Sequence, residues 1–386
     1  MIPSLRTFLT AAAALTATAH ALPQEGSGFG FGSSSSSSSA FAVASSSSTA
    51  TASAAASTST SACNNSPDLC SRSYNNITHM GAHDSAFLRD ASTSNSVAGN
   101  QYYNATVALD AGIRLLQAQV HDKDGAIELC HTSCSLLDAG TLQTWLTAIK
   151  SWMDSNPNEV VTLLLVNSDS KTADEFGTVF SASGIDTYGY EHSGTTWPTL
   201  QEMISANTRL VTFIASITTS TTYPYLLSEF DHIFETAYEV TSLSGFNCTL
   251  DRPSSQSSAS AAISAGLMPL MNHFAYQLLA ASIEIPDVDN ITTTNSPSTS
   301  TTGNLGLHAQ NCKGEWSQAP TFVLVDFFNE GPSITTADNL NGITAVGRST
   351  KAETSTVTTA AAGRTSSLGM GAGALVAFLA ATLVLV

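Results

Sequence analysis

The sequence predicts an α/β fold over residues 63–345, and three observations predict it. Continuous apolar runs of strand length recur along this segment, as they do in parallel strands buried on both faces. Stretches with helical apolar spacing separate several of them, the pattern of βα units and a mostly parallel sheet. The segment has the size of one (β/α)8 barrel, for which about 250 residues is usual. Pattern alone leaves a doubly wound sheet open as the alternative.

The elements follow in order. Ile77 to Ala82 reads as a short strand running into a His83-Asp84 turn. Gly112 to His121 (GIRLLQAQVH) reads as a second strand and Ala126 to His131 as a third. Leu142 to Ser155 (LQTWLTAIKSWMDS) has the apolar spacing of a helix. Val160 to Asn167 (VVTLLLVN) is a buried strand, Leu200 to Asn207 a helix, and Leu210 to Ser216 (LVTFIAS) a further buried strand. Leu267 to Phe274 and Thr321 to Phe328 (TFVLVDFF) complete the strands. The Ser/Thr tract at 287–303 reads as a surface loop within the domain.

The flanks have other work. Residues 1–21 carry Arg6, an apolar Ala/Leu run and Ala19-His20-Ala21, the layout of a secretory signal peptide. Residues 22–62 are rich in Ser, Ala and Thr, cannot bury enough apolar area to order themselves, and are expected to be a glycosylated linker. Residues 346–367 read as a Ser/Thr-rich stalk. Residues 368–386 end in an apolar tail with no Lys or Arg beyond it; with small residues and a polar spacer upstream, they read as a GPI-attachment signal. A plain C-terminal membrane anchor is the alternative. The expected location is outside the cell, at its surface or wall, on a lipid anchor.

Composition agrees with that compartment. Asn64, Asn76, Asn104, Asn247 and Asn290 begin Asn-x-Ser/Thr sequons. The 6 cysteines are an even number. Their spacing suggests Cys63–Cys70, Cys130–Cys134 and Cys248–Cys312, although spacing alone allows other connectivities. A zinc site competes poorly, because no CxxC pair exists. The formal net charge of −17 opposes binding to nucleic acid. The protein is expected to be a monomer.

The strand GIRLLQAQVH carries an anomaly. Leu116, Ala118 and Val120 share the face that would lie under helices, while Gln117, Gln119 and His121 share the other. Buried without partners, such groups cost about 1–3 kcal/mol each. They form either a hydrogen-bonded ladder inside a barrel or a substrate-facing wall at its C-terminal mouth. Other polar residues sit at matching strand ends: His83 and Asp84 after the first strand, His131 after the third, Asn167 after the next, and Asp326 and Asn329 after the last. Two imidazoles can serve as base and acid in one step. Carboxylates on each ring set tautomer and basicity. That set suits displacement at phosphorus.

GAHDS, then AGIR, ELCHTSC and VLVDFFNEG, in that order, resemble the X-type barrel of phosphatidylinositol-specific phospholipase C. The likeness is greatest to the secreted fungal PLC-like phosphodiesterases, whose Cys-rich lead-in CNNSPDLC resembles, and it spans residues 63–345. The resemblance implies a distorted (β/α)8 TIM barrel. It implies His83 as general base, His131 as general acid, Asp84 as the carboxylate paired to the acid and Asp326 as the one that orients the base. It implies a phospholipid or related phosphodiester substrate. Gln117, Gln119, His121, Asn167 and Asn329 are candidate substrate-binding residues.

The departures are specific. Bacterial members place Asp and Arg where Gln117 and Gln119 stand, and calcium-dependent members place acidic ligands there. Neutral amides bind Ca²⁺ poorly, so no cofactor is expected. Arg114 lies on the opposite strand face, leaving Lys123 or Arg89 as other cations. The expected function is a metal-independent phosphodiesterase. The alternative is a catalytically weak or inactive anchored protein that uses the barrel for binding. A metal-dependent phospholipase would need an acidic cage that this strand lacks.

Overall fold

The computed structural model describes residues 61–280 and 283–354. The expected signal peptide and GPI-attachment tail, nearly all of the linker, and most of the stalk lie outside the described residues.

Eight strands run parallel: β1 (His79–Ala82), β2 (Leu115–Lys123), β3 (Val161–Asn167), β4 (Leu210–Ala215), β5 (Leu226–Ser228), β6 (Ile233–Thr236), β7 (Met268–Asn272) and β8 (Phe322–Val325). Each pairs with the next from β1 to β5 and from β6 to β8, and β8 closes on β1. Only the β5–β6 seam forms no ladder among the described residues. The chain between them, Glu229 to His232, is a single short turn. A parallel pairing needs a crossover of roughly a dozen residues, so the barrel stays open there. The fold is a distorted (β/α)8 barrel.

Side-chain alternation divides the core in two. Leu115, Leu164, Phe213, Leu270, Phe322 and Leu324 fill the barrel interior. Leu116, Leu163, Leu165, Ile214, Val323 and Val325 face outward into the helices. The helix Leu142–Ser155 buries Leu142, Leu146, Ile149 and Met153, one face at three- and four-residue steps, and Thr141 caps its first turn. The lead-in segment plugs the barrel bottom, where Tyr74 is fully buried and its hydroxyl meets Thr162 Oγ1 at 2.6 Å.

Several expectations change. Ala126–Cys130 is no barrel strand: it pairs antiparallel with β2 and with Asp138–Thr141. Only Asp124-Gly125 joins it to β2, both with positive φ, a two-residue hairpin turn rather than a crossover. The strands β5 and β6 are short and interleaved with polar residues, which hides them from an apolar-run reading. The 287–303 tract is not all surface loop, since it holds the short helix Ile291–Thr294 and buries Thr294 and Asn295. The domain also extends into the expected stalk. Val346 N donates to Asn65 O, Ser349 N to Asp110 O, and Arg348 pairs with Asp338.

Candidate active site

The site forms where β1 and β8 end together. Ala82 pairs with Val325 across that ladder, so the next residues, His83 and Asp326, emerge side by side. His83 Nδ1 meets Asp326 Oδ1 at 2.8 Å. Both are buried, as is Asp84. Three amides fix the pair. Asn100 Nδ2 donates to Asp326 Oδ1 at 3.1 Å. Gln101 Nε2 donates to the His83 carbonyl at 2.7 Å and to the Val325 carbonyl at 3.1 Å. Asn295 Nδ2 donates to the Asp326 carbonyl at 2.8 Å. The Phe274 ring stacks on the imidazole, with centroids 3.6 Å apart and planes within 9°.

Asp84 sits at φ 44°, a left-handed turn that aspartate tolerates better than most residues. The turn aims its carboxylate between two imidazoles. Asp84 Oδ2 lies 3.7 Å from His83 Nε2 and 3.4 Å from His131 Nε2. The two Nε2 atoms are therefore no farther apart than the sum of those distances, within the span of one tetrahedral diester. His131 reaches this point from the extra hairpin. The Cys130–Cys134 disulfide brackets it, its backbone N–H donates to Leu137 O, and the Phe87 ring meets it edge-on at 5.2 Å.

Gln117 and Gln119 hold this arrangement from β2. Gln117 Oε1 accepts from the Asp84 backbone N–H at 2.6 Å. Gln119 Nε2 donates to Asp84 Oδ2 at 3.1 Å, and its Oε1 accepts from the Thr132 backbone N–H at 3.0 Å. Gln119 thus ties the central carboxylate to the loop that carries His131. Both amide oxygens are engaged within the protein, so this donor set does not fit a divalent cation. Among the described residues, the one close trio of metal-ligating types is Cys248, His308 and Cys312, and its two cysteines are joined as a disulfide.

Burial opposes charge on His83, but the Asp84 and Asp326 carboxylates outweigh it and hold the ring above the ordinary imidazole range. Burial likewise pushes Asp326 above the usual carboxylate range, with His83 and Asn100 pulling it back. The pair thus keeps a proton between Nδ1 and Oδ1, leaving Nε2 to face the pocket. Burial and the nearby Asp326 and Asp84 carboxylates also hold the Tyr276 hydroxyl well above its usual value.

The structure brings together His83, His131, Asp84, Asp326, Gln117 and Gln119. The other candidates stand apart from that contact set. His121 Nδ1 pairs with Asp169 at 3.4 Å. Asn167 Nδ2 donates to the Lys171 and Ser216 carbonyls, and its Oδ1 accepts from Lys171 N, so the side chain closes a loop instead of facing substrate. Asn329 Nδ2 donates to Glu330. His79, which is not among the candidates, packs at the opposite end of β1, against Tyr74. Lys123 is paired with Asp138. Asn100, Gln101, Phe274 and Asn295 carry no sequence signal beyond their residue types, since each acts through contacts distant along the chain. The three disulfides are Cys63–Cys70, Cys130–Cys134 and Cys248–Cys312. Of the sequon asparagines, Asn76, Asn104, Asn247 and Asn290 are exposed. Asn64 is buried, its Oδ1 accepting from Val160 N, so the folded domain offers no room for a glycan there.

Comparison with known proteins shows the family. The chain is 36% identical over 287 residues to a PI-PLC X domain-containing protein of Arthroderma benhamiae, covering 73% of this chain and 90% of the relative. It is 34% identical over 316 residues to a protein of the same fungus named as an uncharacterized secreted protein, covering 79% and 69%. The phosphatidylinositol-specific phospholipase C of Listeria monocytogenes superposes with a TM-score of 0.49 at 13% identity, over 70% of this chain and 95% of that one. The PI-PLC X family model matches residues 69–341, and the chain belongs to that family of phospholipase C-like phosphodiesterases.

Proposed function

We propose that this chain cleaves a phospholipid or related phosphodiester by proton transfer between two imidazoles, without a metal. The observation that carries the reading is the convergence of both Nε2 atoms on Asp84 Oδ2, at 3.7 and 3.4 Å. His83, with Nδ1–H held by Asp326, takes the proton of an attacking hydroxyl on Nε2. A new O–P bond forms as the P–O bond to the leaving alcohol breaks, and His131 gives its proton to the leaving oxygen. Where the hydroxyl belongs to the substrate, the product is a cyclic diester, which water opens with the two rings in exchanged roles. Asp84 Oδ2, 3.4 Å from His131 Nε2, orients the ring that gives the proton. The name of the 34%-identical relative supports secretion of this chain too, and its C-terminal sequence supports a lipid anchor there.

His83→Ala and His131→Ala test the roles. Each should lower turnover of phosphatidylinositol or a glycerophosphodiester by at least about 10²-fold, the usual scale for a general acid or base, with an unchanged circular dichroism spectrum. Full turnover in both variants would refute the assignment. One observation favours a second reading, a binding module: Gln117 and Gln119 spend their oxygens on the protein, and among the described residues only Asp84 and Asp326 form charged pairs with the two rings. No turnover across the substrate panel, with ligand still retained, would decide for it.

A further inference from the structure

The described arginines divide by what they hold. Arg114, Arg252 and Arg348 each pair with a carboxylate. Arg72 and Arg209 donate to backbone carbonyls. Arg89 does neither. Its guanidinium forms no ion pair and no hydrogen bond among the described residues, and its Nη1 is buried without an acceptor. A buried charged donor left unpaired is costly. The chain has net charge −17, with 30 Asp and Glu against 13 Lys and Arg. Acceptors are plentiful, so an arginine kept from all of them is informative.

The backbone sets Arg89 at the mouth, on the loop that leaves β1. Leu88 pairs in parallel with Gln101, and Arg89 N donates to Gln101 O at 2.8 Å. The two segments approach closely because Gly99 has no side chain: a Cβ there would lie 2.6 Å from Arg89 N. One step to either side of that pair, Phe87 stands beside Asn100 and Arg89 beside Tyr102. The first couple serves the site. The Phe87 ring meets His131 edge-on at 5.2 Å, and Asn100 Nδ2 donates to Asp326 Oδ1. Side chains two residues apart on an extended segment share a face, so Arg89 and Tyr102 continue the same wall. The Tyr102 ring agrees with this placement, lying 4.5 Å from Phe327, the residue after Asp326.

We propose, resting on the phosphodiester reading above for the source of the anion, that Arg89 and Tyr102 form an anion subsite on this wall, which takes a phosphate oxyanion of the substrate. A guanidinium presents its donors as a planar fork that fits phosphate oxygens two at a time. Burial holds the Tyr102 hydroxyl above its ordinary value, against the pull of Arg89 and with a push from Glu330. The hydroxyl therefore keeps its proton and donates as well. The neighbouring carboxylates are engaged elsewhere. Asp90 Oδ1 accepts from Ser92 N at 2.8 Å and from Ser92 Oγ, and Glu330 Oε1 accepts from Asn329 Nδ2 at 2.9 Å. The loop is also fixed by its own contacts, since Thr93 Oγ1 donates to Leu88 O at 2.7 Å. Positive charge thus enters from the β1 side of the mouth, while β2 offers the neutral Gln117 and Gln119.

Inorganic phosphate is the probe, read by calorimetry on the whole protein at low ionic strength. The wild type should bind it. Arg89→Gln should bind it at least about 10-fold more weakly, the scale of one hydrogen bond to a charged group. Arg89→Lys should fall between them, since the charge stays and the fork goes. Circular dichroism should be the same in all three. No phosphate binding by the wild type, or equal affinity in the wild type and Arg89→Gln, would overturn the subsite. So would ¹⁵N spectra of the wild type in which phosphate leaves the Arg89 Nε–H resonance unmoved; if the variants fail to fold, these spectra decide alone. The source of the anion has its own arm. Phosphatidylinositol in micelles should displace phosphate from the His131→Ala protein, which lacks the general acid. Phosphate that stays bound there would make this a site for free phosphate and overturn its place in the substrate's path. None of these readouts uses turnover, so the subsite and the catalytic reading fail separately.

Discussion

Asp326→Asn probes the geometry at one atom. In the wild type the His83 Nδ1–H donates to Asp326 Oδ1 at 2.8 Å, and Asn100 Nδ2 donates to the same oxygen at 3.1 Å. Asparagine fits the space but brings an amide where a carboxylate stood. If its oxygen faces His83, one hydrogen bond to a charged acceptor becomes a neutral one, a loss of about 1–2 kcal/mol when the ring charges in the transition state. That is roughly 5- to 30-fold in rate at about 1.4 kcal/mol per decade. If the amide nitrogen faces His83 instead, the ring must flip tautomer and lose its proton-accepting Nε2, which moves the loss toward about 10⁴-fold. The sign of the pH effect is fixed as well. Asp84 and Asp326 together hold His83 above the ordinary range against burial, and the base works only when unprotonated. Removing one of those charges moves the acid limb of kcat/KM to lower pH. The assay is a kcat/KM profile from pH 4 to 9 for both proteins on phosphatidylinositol in micelles. A rate loss with an unmoved acid limb would refute the orienting role of Asp326. So would a shift to higher pH.

Other outcomes follow from the same contacts. Turnover in the presence of EDTA should equal that without it, since the Gln117 and Gln119 oxygens are engaged by backbone N–H groups; a chelator-sensitive rate restored by Ca²⁺ would overturn metal independence. Gln119→Glu sets a second carboxylate against Asp84 and removes the donor to Asp84 Oδ2, so kcat should fall at least about 10-fold at pH 7 and recover in part as acid protonates the pair; kcat of wild-type magnitude would show that Gln119 does not position Asp84. Glycopeptide mapping of the protein expressed through a eukaryotic secretory pathway should find Asn64 unmodified, because its side chain is buried against Val160 N; a glycan there would contradict the lead-in packing.

How much of this was legible in the sequence depended on range. Leu142–Ser155 was readable to the residue, because its apolar spacing and Thr141 cap are local. β3 and β4 were readable as apolar runs. The strands β5 and β6 were not, since each is too short to show a period. The Asp124-Gly125 turn was present in the sequence as a hairpin signal, and its neglect turned a hairpin into a barrel strand. Among the site residues, the split faces of GIRLLQAQVH separated Gln117 and Gln119 from the helix-facing side. Their use could not be read, because whether an amide meets substrate or a backbone N–H depends on chain positions far apart. Asn167 illustrates the reverse: a strand-end asparagine that looked like a ligand contact is satisfied by Lys171, four residues away.

The Cys130–Cys134 bridge closes a loop of very few residues around His131, on a hairpin that belongs to no part of the barrel ladder. The barrel's own strands need no oxidant to pair, whereas the loop that carries the second imidazole is closed by a covalent bond between Cys130 and Cys134. Pairing of the barrel strands and closure of that loop are thus separate chemical events, and the second is completed only where thiols can be oxidised.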